Sequence, residues 1–152
     1  MKKVLFVCLG NICRSPMAEA VFKAKVRQAD LANKFVVSSA ATSSWEAGNK
    51  PHSGTQQILD QHGISYEGIR STQVKPEDFV KYDVIIGMDA NNVADLKQMA
   101  PEQTKGKIHL FLDIVEGKEG QEVPDPYYTG DFEETYALIN EGTEALLSYL
   151  DN

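Results

Sequence analysis

Two short runs in which every side chain is apolar, Val4-Leu5-Phe6-Val7 and Val84-Ile85-Ile86, limit what this chain can fold into more than any other feature. A strand with one wet face alternates polar and apolar residues. An unbroken apolar run belongs to a strand covered on both faces, as in a parallel sheet between helices. Phe35-Val36-Val37 and Ile108 to Ile114 read as two further strands. Helical patterns lie between them. Met17, Ala20, Val21 and Ala24 fall at helical spacing, with Ser15 where an N-cap belongs and Pro16 at the first helical position. Pro51 to Gln61 reads as a second helix, with Ile58 and Leu59 inward and Gly63 as the stop. Asp89 is placed to cap a third, containing Val93, Leu96 and Met99. The last helix starts near Asp131, with Glu134 three residues on, and carries the stripe Phe132, Tyr136, Ile139, Leu146, Leu147 and Leu150. Strand and helix in alternation predict an α/β fold of three layers, α/β/α, around a parallel sheet. Ligands of such sheets bind beyond the carboxyl ends of the strands, where Cys8, Asp89 and the segment after Ile114 all lie.

A chain of 152 residues is expected to form one domain, 1–152. Its net charge of -7 argues against nucleic acid or an acidic membrane as a partner, since neither attracts an acidic surface. Two cysteines, Cys8 and Cys13, are too few for a disulfide framework, and His52, His62 and His109 are too scattered for a structural zinc. The apolar run at Val4 to Val7 is too short for a signal peptide, with Asn11 and Arg14 interrupting the next stretch, and no segment is long enough to cross a membrane. The expected compartment is the cytoplasm, where thiols stay reduced.

The chemistry concentrates in Cys8-Leu9-Gly10-Asn11-Ile12-Cys13-Arg14-Ser15, between a buried strand and a helix N-terminus. A cysteine, five residues and an arginine make a loop long enough to wrap one tetrahedral oxyanion. The backbone N–H groups of Leu9, Gly10, Asn11, Ile12, Cys13 and Arg14 are expected to point inward, and the helix dipole adds partial positive charge. Gly10 permits a turn that a side chain would hinder, and Asn11 tolerates a left-handed backbone and braces the loop with its amide. The planar fork of Arg14 suits two phosphate oxygens. The helix terminus and Arg14 favour the thiolate of Cys8, with the Ser15 hydroxyl placed to donate to it; Cys8 is then nucleophile and, once phosphorylated, leaving group. Taken alone, a cysteine ending a buried strand is ordinary core filling. The Ser-Pro and helix after it, and the Gly-Asn within the loop, make the chemical reading the stronger one.

This loop, followed by Ser15-Pro16-Met17-Ala18-Glu19, resembles the signature of the low-molecular-weight protein tyrosine phosphatases, and the likeness extends along nearly the whole chain. It returns at Met88-Asp89 with Asn92, and at Pro124-Asp125-Pro126-Tyr127-Tyr128. The resemblance implies a four-stranded parallel sheet in the order 2-1-3-4 flanked by helices. It implies Cys8 as nucleophile, Arg14 as phosphate clamp and Asp125 as general acid, with Leu9, Gly10, Asn11, Ile12, Cys13 and Ser15 around the phosphate. No metal and no cofactor is expected, because loop amides and Arg14 meet the charge of the transferring phosphoryl group. Held between Pro124 and Pro126, Asp125 sits in a loop of restricted backbone freedom. Read without the resemblance, Asp125 is more readily a turn residue, since Asp beside Pro is common in turns.

Trp45, Tyr127 and Tyr128 are expected to wall a slot deep enough for phosphotyrosine, in proteins or as small aryl phosphates, and too deep for phosphoserine. The chain departs from the family in two places. Glu46 follows Trp45 where many members have histidine. Ile69 stands where the family histidine braces the loop asparagine, leaving the brace of Asn11 open. Cys13 is read as a passive loop residue, with a disulfide to Cys8 under oxidation as the alternative. Three rival readings are weaker. Arsenate reductases of this fold relay a disulfide through later cysteines, and none follows Cys13. Protein-arginine phosphatases tend to carry threonine where Ile12 stands and to lack the paired tyrosines. A mere phosphate-binding module needs neither thiol nor acid.

Overall fold

The structure, a computed structural model, describes residues 1–151. In chain order the elements are β1 (Lys2–Cys8), α1 (Arg14–Gln28), β2 (Phe35–Ala41), α2 (Ser53–Gln61), α3 (Asp78–Lys81), β3 (Val84–Gly87), α4 (Ala90–Met99), β4 (Ile108–Leu110), α5 (Pro126–Thr129) and α6 (Phe132–Leu150). The strands form one four-stranded sheet, β2-β1-β3-β4, parallel at every pairing. That is the order the resemblance implies.

Central position explains the apolar run of β1. Val4, Phe6 and Cys8 join the cluster built with α1, α2 and α6, while Leu5 and Val7 join the opposite one, with Phe79, Ile85 and Leu96. Both faces of the strand are therefore dry. Phe6 meets Phe22 and Phe111 edge-on, at ring separations of 5.8 and 6.2 Å, and Phe22 meets Phe35 at 5.6 Å. Edge-to-face rings at this spacing pack favourably beyond the area they bury.

Three local expectations change. The first helix begins at Arg14, so Ser15 lies inside its first turn and caps nothing; Cys13 holds the cap position without a side-chain bond. The Ser15 hydroxyl is engaged instead with Cys8 and Asn11. The run Ile108 to Ile114 is strand only as far as Leu110, and Phe111–Ile114 turns as a 3-10 helix. The reason lies in the neighbour: β3 ends at Gly87, paired with Leu110, so Phe111 has nothing to pair with and drops into the core. In α6 the buried stripe includes Thr135 and Thr143 beside Ile139 and Leu146. Their hydroxyls donate back to Asp131 O and Ile139 O, which satisfies them without water.

Close packing of α6 on the 3-10 turn that follows β4 needs Gly142. A Cβ there would stand 2.3 Å from the ring of Phe111, a fully buried side chain. Helix propensity alone makes Gly142→Ala stabilising by about 1 kcal/mol. Overpacking reverses the sign, and the variant is expected to lose about 1–3 kcal/mol in urea denaturation. A gain in stability would contradict the packing described.

Candidate active site

Residues 8–14 connect the carboxyl end of β1 to α1, and the polar groups of this loop are sorted by direction. Its carbonyls are held by the surrounding protein. Cys8 O accepts from Thr42 N at 3.0 Å, Leu9 O from Ser43 N at 3.1 Å and Ile12 O from His52 N at 2.7 Å. Gly10 O accepts from Ser71 Oγ at 2.8 Å and Cys13 O from Thr55 Oγ1 at 3.3 Å. Among the described residues, the N–H groups of Leu9, Gly10, Asn11, Ile12, Cys13, Arg14 and Ser15 donate to no protein acceptor. Loop amides and the first turn of a helix left free in this way offer an anion a ready set of donors.

Asn11 keeps the loop in shape. Its φ of 55° is left-handed, as expected of this residue. Its Nδ2 donates to Ser15 Oγ at 2.7 Å and Ser39 Oγ at 2.9 Å, and its Oδ1 accepts from Thr72 N at 3.1 Å. Ser39 in turn donates to the buried Glu19, whose other oxygen pairs with Lys23. Two serines and a backbone amide therefore brace Asn11. Ile69, at the family histidine's position, is simply buried in the core. Gly10 proves conformationally ordinary: its φ is not left-handed, and an added Cβ would meet Glu46 Cγ at a comfortable 3.5 Å.

The Cys8 Sγ lies 3.0 Å from Ser15 Oγ. Ser15 itself is fully buried behind the thiol, as is Asn11. Arg14, 2% exposed, lies beneath the loop. Its Nη1 donates to Asp89 Oδ2 at 2.8 Å and to Val123 O at 3.0 Å, while Nη2 reaches Asp125 Oδ2 only at 3.4 Å. Its Nε is buried and has no partner. Burial by itself lowers the pKa of a guanidinium. Here the Cys8 charge, the Asp89 hydrogen bond and the charges of Asp125 and Asp89 outweigh it, and the net direction is up. What remains for a ligand is one edge of the fork, Nε with Nη2, a geometry that matches two oxygens of one oxyanion.

A cleft opens over this loop. It is lined by Cys8, Leu9, Gly10, Ile12, Cys13, Trp45, Glu46, Asp125, Tyr127 and Tyr128. All three expected aromatics are therefore present, and all are exposed: Trp45 by 76%, Tyr127 by 56% and Tyr128 by 74%. These are large apolar surfaces left open, which core packing does not explain. Asp125 is at once a turn residue and a cleft residue. Its Oδ1 caps α5 through Tyr127 N at 3.0 Å, leaving Oδ2 toward Arg14. Asp89 likewise does two jobs, capping α4 through Asn92 N at 2.8 Å and holding Arg14 with its other oxygen. Its sequence context points only to the helix cap; its place at the end of β3 is the available signal for the second role. Ser39, Ser43, Thr55, Ser71 and Thr72, which anchor the loop from afar, carry no sequence signal of their own.

Cys8 and Cys13 are both free thiols. Burial, with the nearby Cys8 and Asp125 charges behind it, pushes Cys13 up to about 12. A folded Cys8→Ser variant is expected to resist iodoacetamide at neutral pH, because burial, the leading cause of the raised titration, persists when the Cys8 charge is gone. Once unfolded it is alkylated at Cys13, as read by intact mass. Rapid alkylation of the folded variant at neutral pH would contradict this environment.

Residues 3–152 match the family model described as low molecular weight phosphotyrosine protein phosphatase. The chain is 49% identical over 148 residues to the low molecular weight protein-tyrosine-phosphatase YfkJ of Bacillus subtilis, covering 97% of this chain and 95% of the relative. It superposes on the YfkJ crystal structure with a TM-score of 0.96, at 48% identity, over 99% of this chain and 95% of that one. The low molecular weight protein tyrosine phosphatase SP-PTP of Streptococcus pyogenes superposes with a TM-score of 0.87 at 50% identity, over 99% and 93% of the two chains. A Drosophila arginine phosphatase superposes at 0.91 with 36% identity, over 100% and 99%. By sequence across its length and by fold, the chain belongs to the low molecular weight protein-tyrosine-phosphatase family of hydrolases.

Proposed function

We propose that this protein hydrolyses phosphotyrosine, in proteins or as small aryl phosphates, through a phosphocysteine on Cys8 and without a metal ion. One observation carries the reading: a buried arginine with an unpartnered Nε lies under a loop of free amides that also holds a cysteine. A buried guanidinium donor without a partner is costly unless an anion visits it.

In the first step the Cys8 thiolate attacks phosphorus, the S–P bond forms and the P–O bond to the phenol breaks. Asp125, as the carboxylic acid, gives its proton to the departing oxygen. The equatorial oxygens rest on the loop amides and on Arg14 Nε and Nη2. A phosphoryl oxygen at Nη2 competes with the long 3.4 Å contact and releases Asp125 Oδ2 toward the ester oxygen. In the second step water attacks phosphorus, Asp125 takes a proton from it, the S–P bond breaks and phosphate leaves with the thiolate restored. Ser15, 3.0 Å from Sγ, favours the thiolate as leaving group by donating a hydrogen bond to it.

Phosphotyrosine is preferred to phosphoarginine on the side chains that line the cleft. Ile12, Trp45, Tyr127 and Tyr128 offer apolar and aromatic surface suited to a phenyl ring. The shared fold of the Drosophila arginine phosphatase does not separate the two substrates. The setting proposed is the cytoplasm, where both thiols stay reduced. Among the described residues no helix is long and apolar enough to cross a membrane.

Cys8→Ser is expected to abolish turnover of a phosphotyrosine peptide while inorganic phosphate still binds, as followed by calorimetry. Surviving turnover would remove Cys8 from the mechanism. Asp125→Asn is expected to slow a phenyl phosphate by about 100-fold or more and a nitrophenyl ester, with its acidic leaving group, much less. Equal losses on both esters would argue against the acid role. A peptide carrying phosphoarginine, turned over in preference to phosphotyrosine, would overturn the substrate assignment.

A further inference from the structure

His52 touches both halves of the cleft without lining it, and the family signature does not include it. Its backbone N–H donates to Ile12 O in the phosphate loop at 2.7 Å. Its Nδ1 accepts from Gly54 N at 3.0 Å, capping α2, so the proton of the neutral ring sits on Nε2. That bond fixes the plane of the ring. One face stacks on Phe132, with ring centres 5.1 Å apart and planes at 22°. The ring also meets Tyr127 edge-on, at 6.0 Å and 81°. Gly54 makes room for the stack, since a Cβ there would lie 2.5 Å from the Phe132 ring.

We infer that His52 is a positioning residue for substrate binding: its ring, clamped between the α2 cap and Phe132, holds Tyr127 upright as one wall of the cleft. The inference rests on the proposed phosphotyrosine reading and adds a specificity element to it. Tyr127 is 56% exposed, and its other aromatic neighbour is Tyr128, itself 74% exposed, at 5.2 Å. Two exposed rings leaning on one another do not fix an orientation. The contact with His52 ties Tyr127 to a half-buried ring anchored in two ways. Because the same residue holds Ile12 O through its backbone, His52 joins wall and phosphate loop directly, beside the link that Asp125 makes between Tyr127 N and Arg14.

Separation of the ring from the cap makes the inference testable. His52→Asn keeps an oxygen able to cap Gly54 N and keeps the backbone bond to Ile12, but removes the ring. His52→Phe keeps a ring and loses the cap. On a phosphotyrosine peptide, His52→Asn is expected to raise KM by about two- to ten-fold, the size of one aromatic contact, with the inhibition constant of inorganic phosphate unmoved. His52→Phe is expected to restore KM while lowering the melting temperature. In a Tyr127→Ala background His52→Asn should raise KM no further, as two residues acting through one contact require. The inference fails if His52→Asn leaves KM unchanged, if the phosphate constant rises in step with KM, if His52→Phe folds and does not restore KM, or if the two substitutions add. Wild-type protein that ignores the peptide altogether would defeat the phosphotyrosine reading, and this inference with it. An active wild type with an unmoved His52→Asn defeats the inference alone.

Discussion

The site is organised around a charge that cannot be shed. A guanidinium stays protonated under any condition the fold survives, so burying Arg14 to 2% exposure obliges the protein to surround it with acceptors. It does so on one side only. Asp89 and the Val123 carbonyl saturate Nη1, and both stand on elements that have their own reasons to be there: Asp89 caps α4, and Val123 N donates to Met88 O at 3.0 Å. The opposite edge is left with a bare Nε and a long contact to Asp125. Fixing one edge of a planar group orients the other, and in the proposed reaction the oriented edge meets the phosphoryl oxygens. Preorganisation of this kind lowers a barrier because no donor has to be turned when charge develops.

The same logic extends through the loop. Each carbonyl that points outward to Thr42, Ser43, His52, Thr55 or Ser71 prevents the peptide from turning its N–H away. Asn11, in its left-handed conformation, is fixed from Ser15, Ser39 and Thr72. Two of these anchors come from the neighbouring strand β2 and the segment beyond α2, so the loop's shape depends on parts of the chain far from it in sequence. The acidic net charge of -7 is no obstacle to anion binding here, because the relevant field is set within a few ångströms by amides, a helix terminus and one arginine.

What is legible in the sequence is what is local. The run Val4 to Val7 announces a strand buried on both faces, and Cys8 through Arg14 announces an oxyanion loop, because each depends on neighbours a few residues away. Asp125 is legible mainly by resemblance. Its partnership with Arg14 spans 111 residues and cannot be read from a turn sequence. The turn of Ser15 toward the Cys8 thiol is legible from the loop, but its reading as a helix cap fails, because a Ser-Pro pair looks the same one residue inside the helix as at its cap. The length of β4 is overestimated because an apolar run does not say where its partner strand stops. Ser39, Ser71 and Thr72 are invisible for the plainest reason: a serine or threonine acquires a role only when folding brings an acceptor or donor to it.

In the proposed mechanism the Nε edge of Arg14 receives an oxyanion. The most direct measurement is the Arg14 side-chain Nε–Hε resonance in a proton–nitrogen correlation spectrum, assigned with an Arg14→Lys variant and followed while inorganic phosphate is added. A downfield shift of Hε that saturates together with phosphate binding is the expected result. An Hε resonance that stays in place while phosphate saturates the protein would mean that phosphate does not bind at this edge.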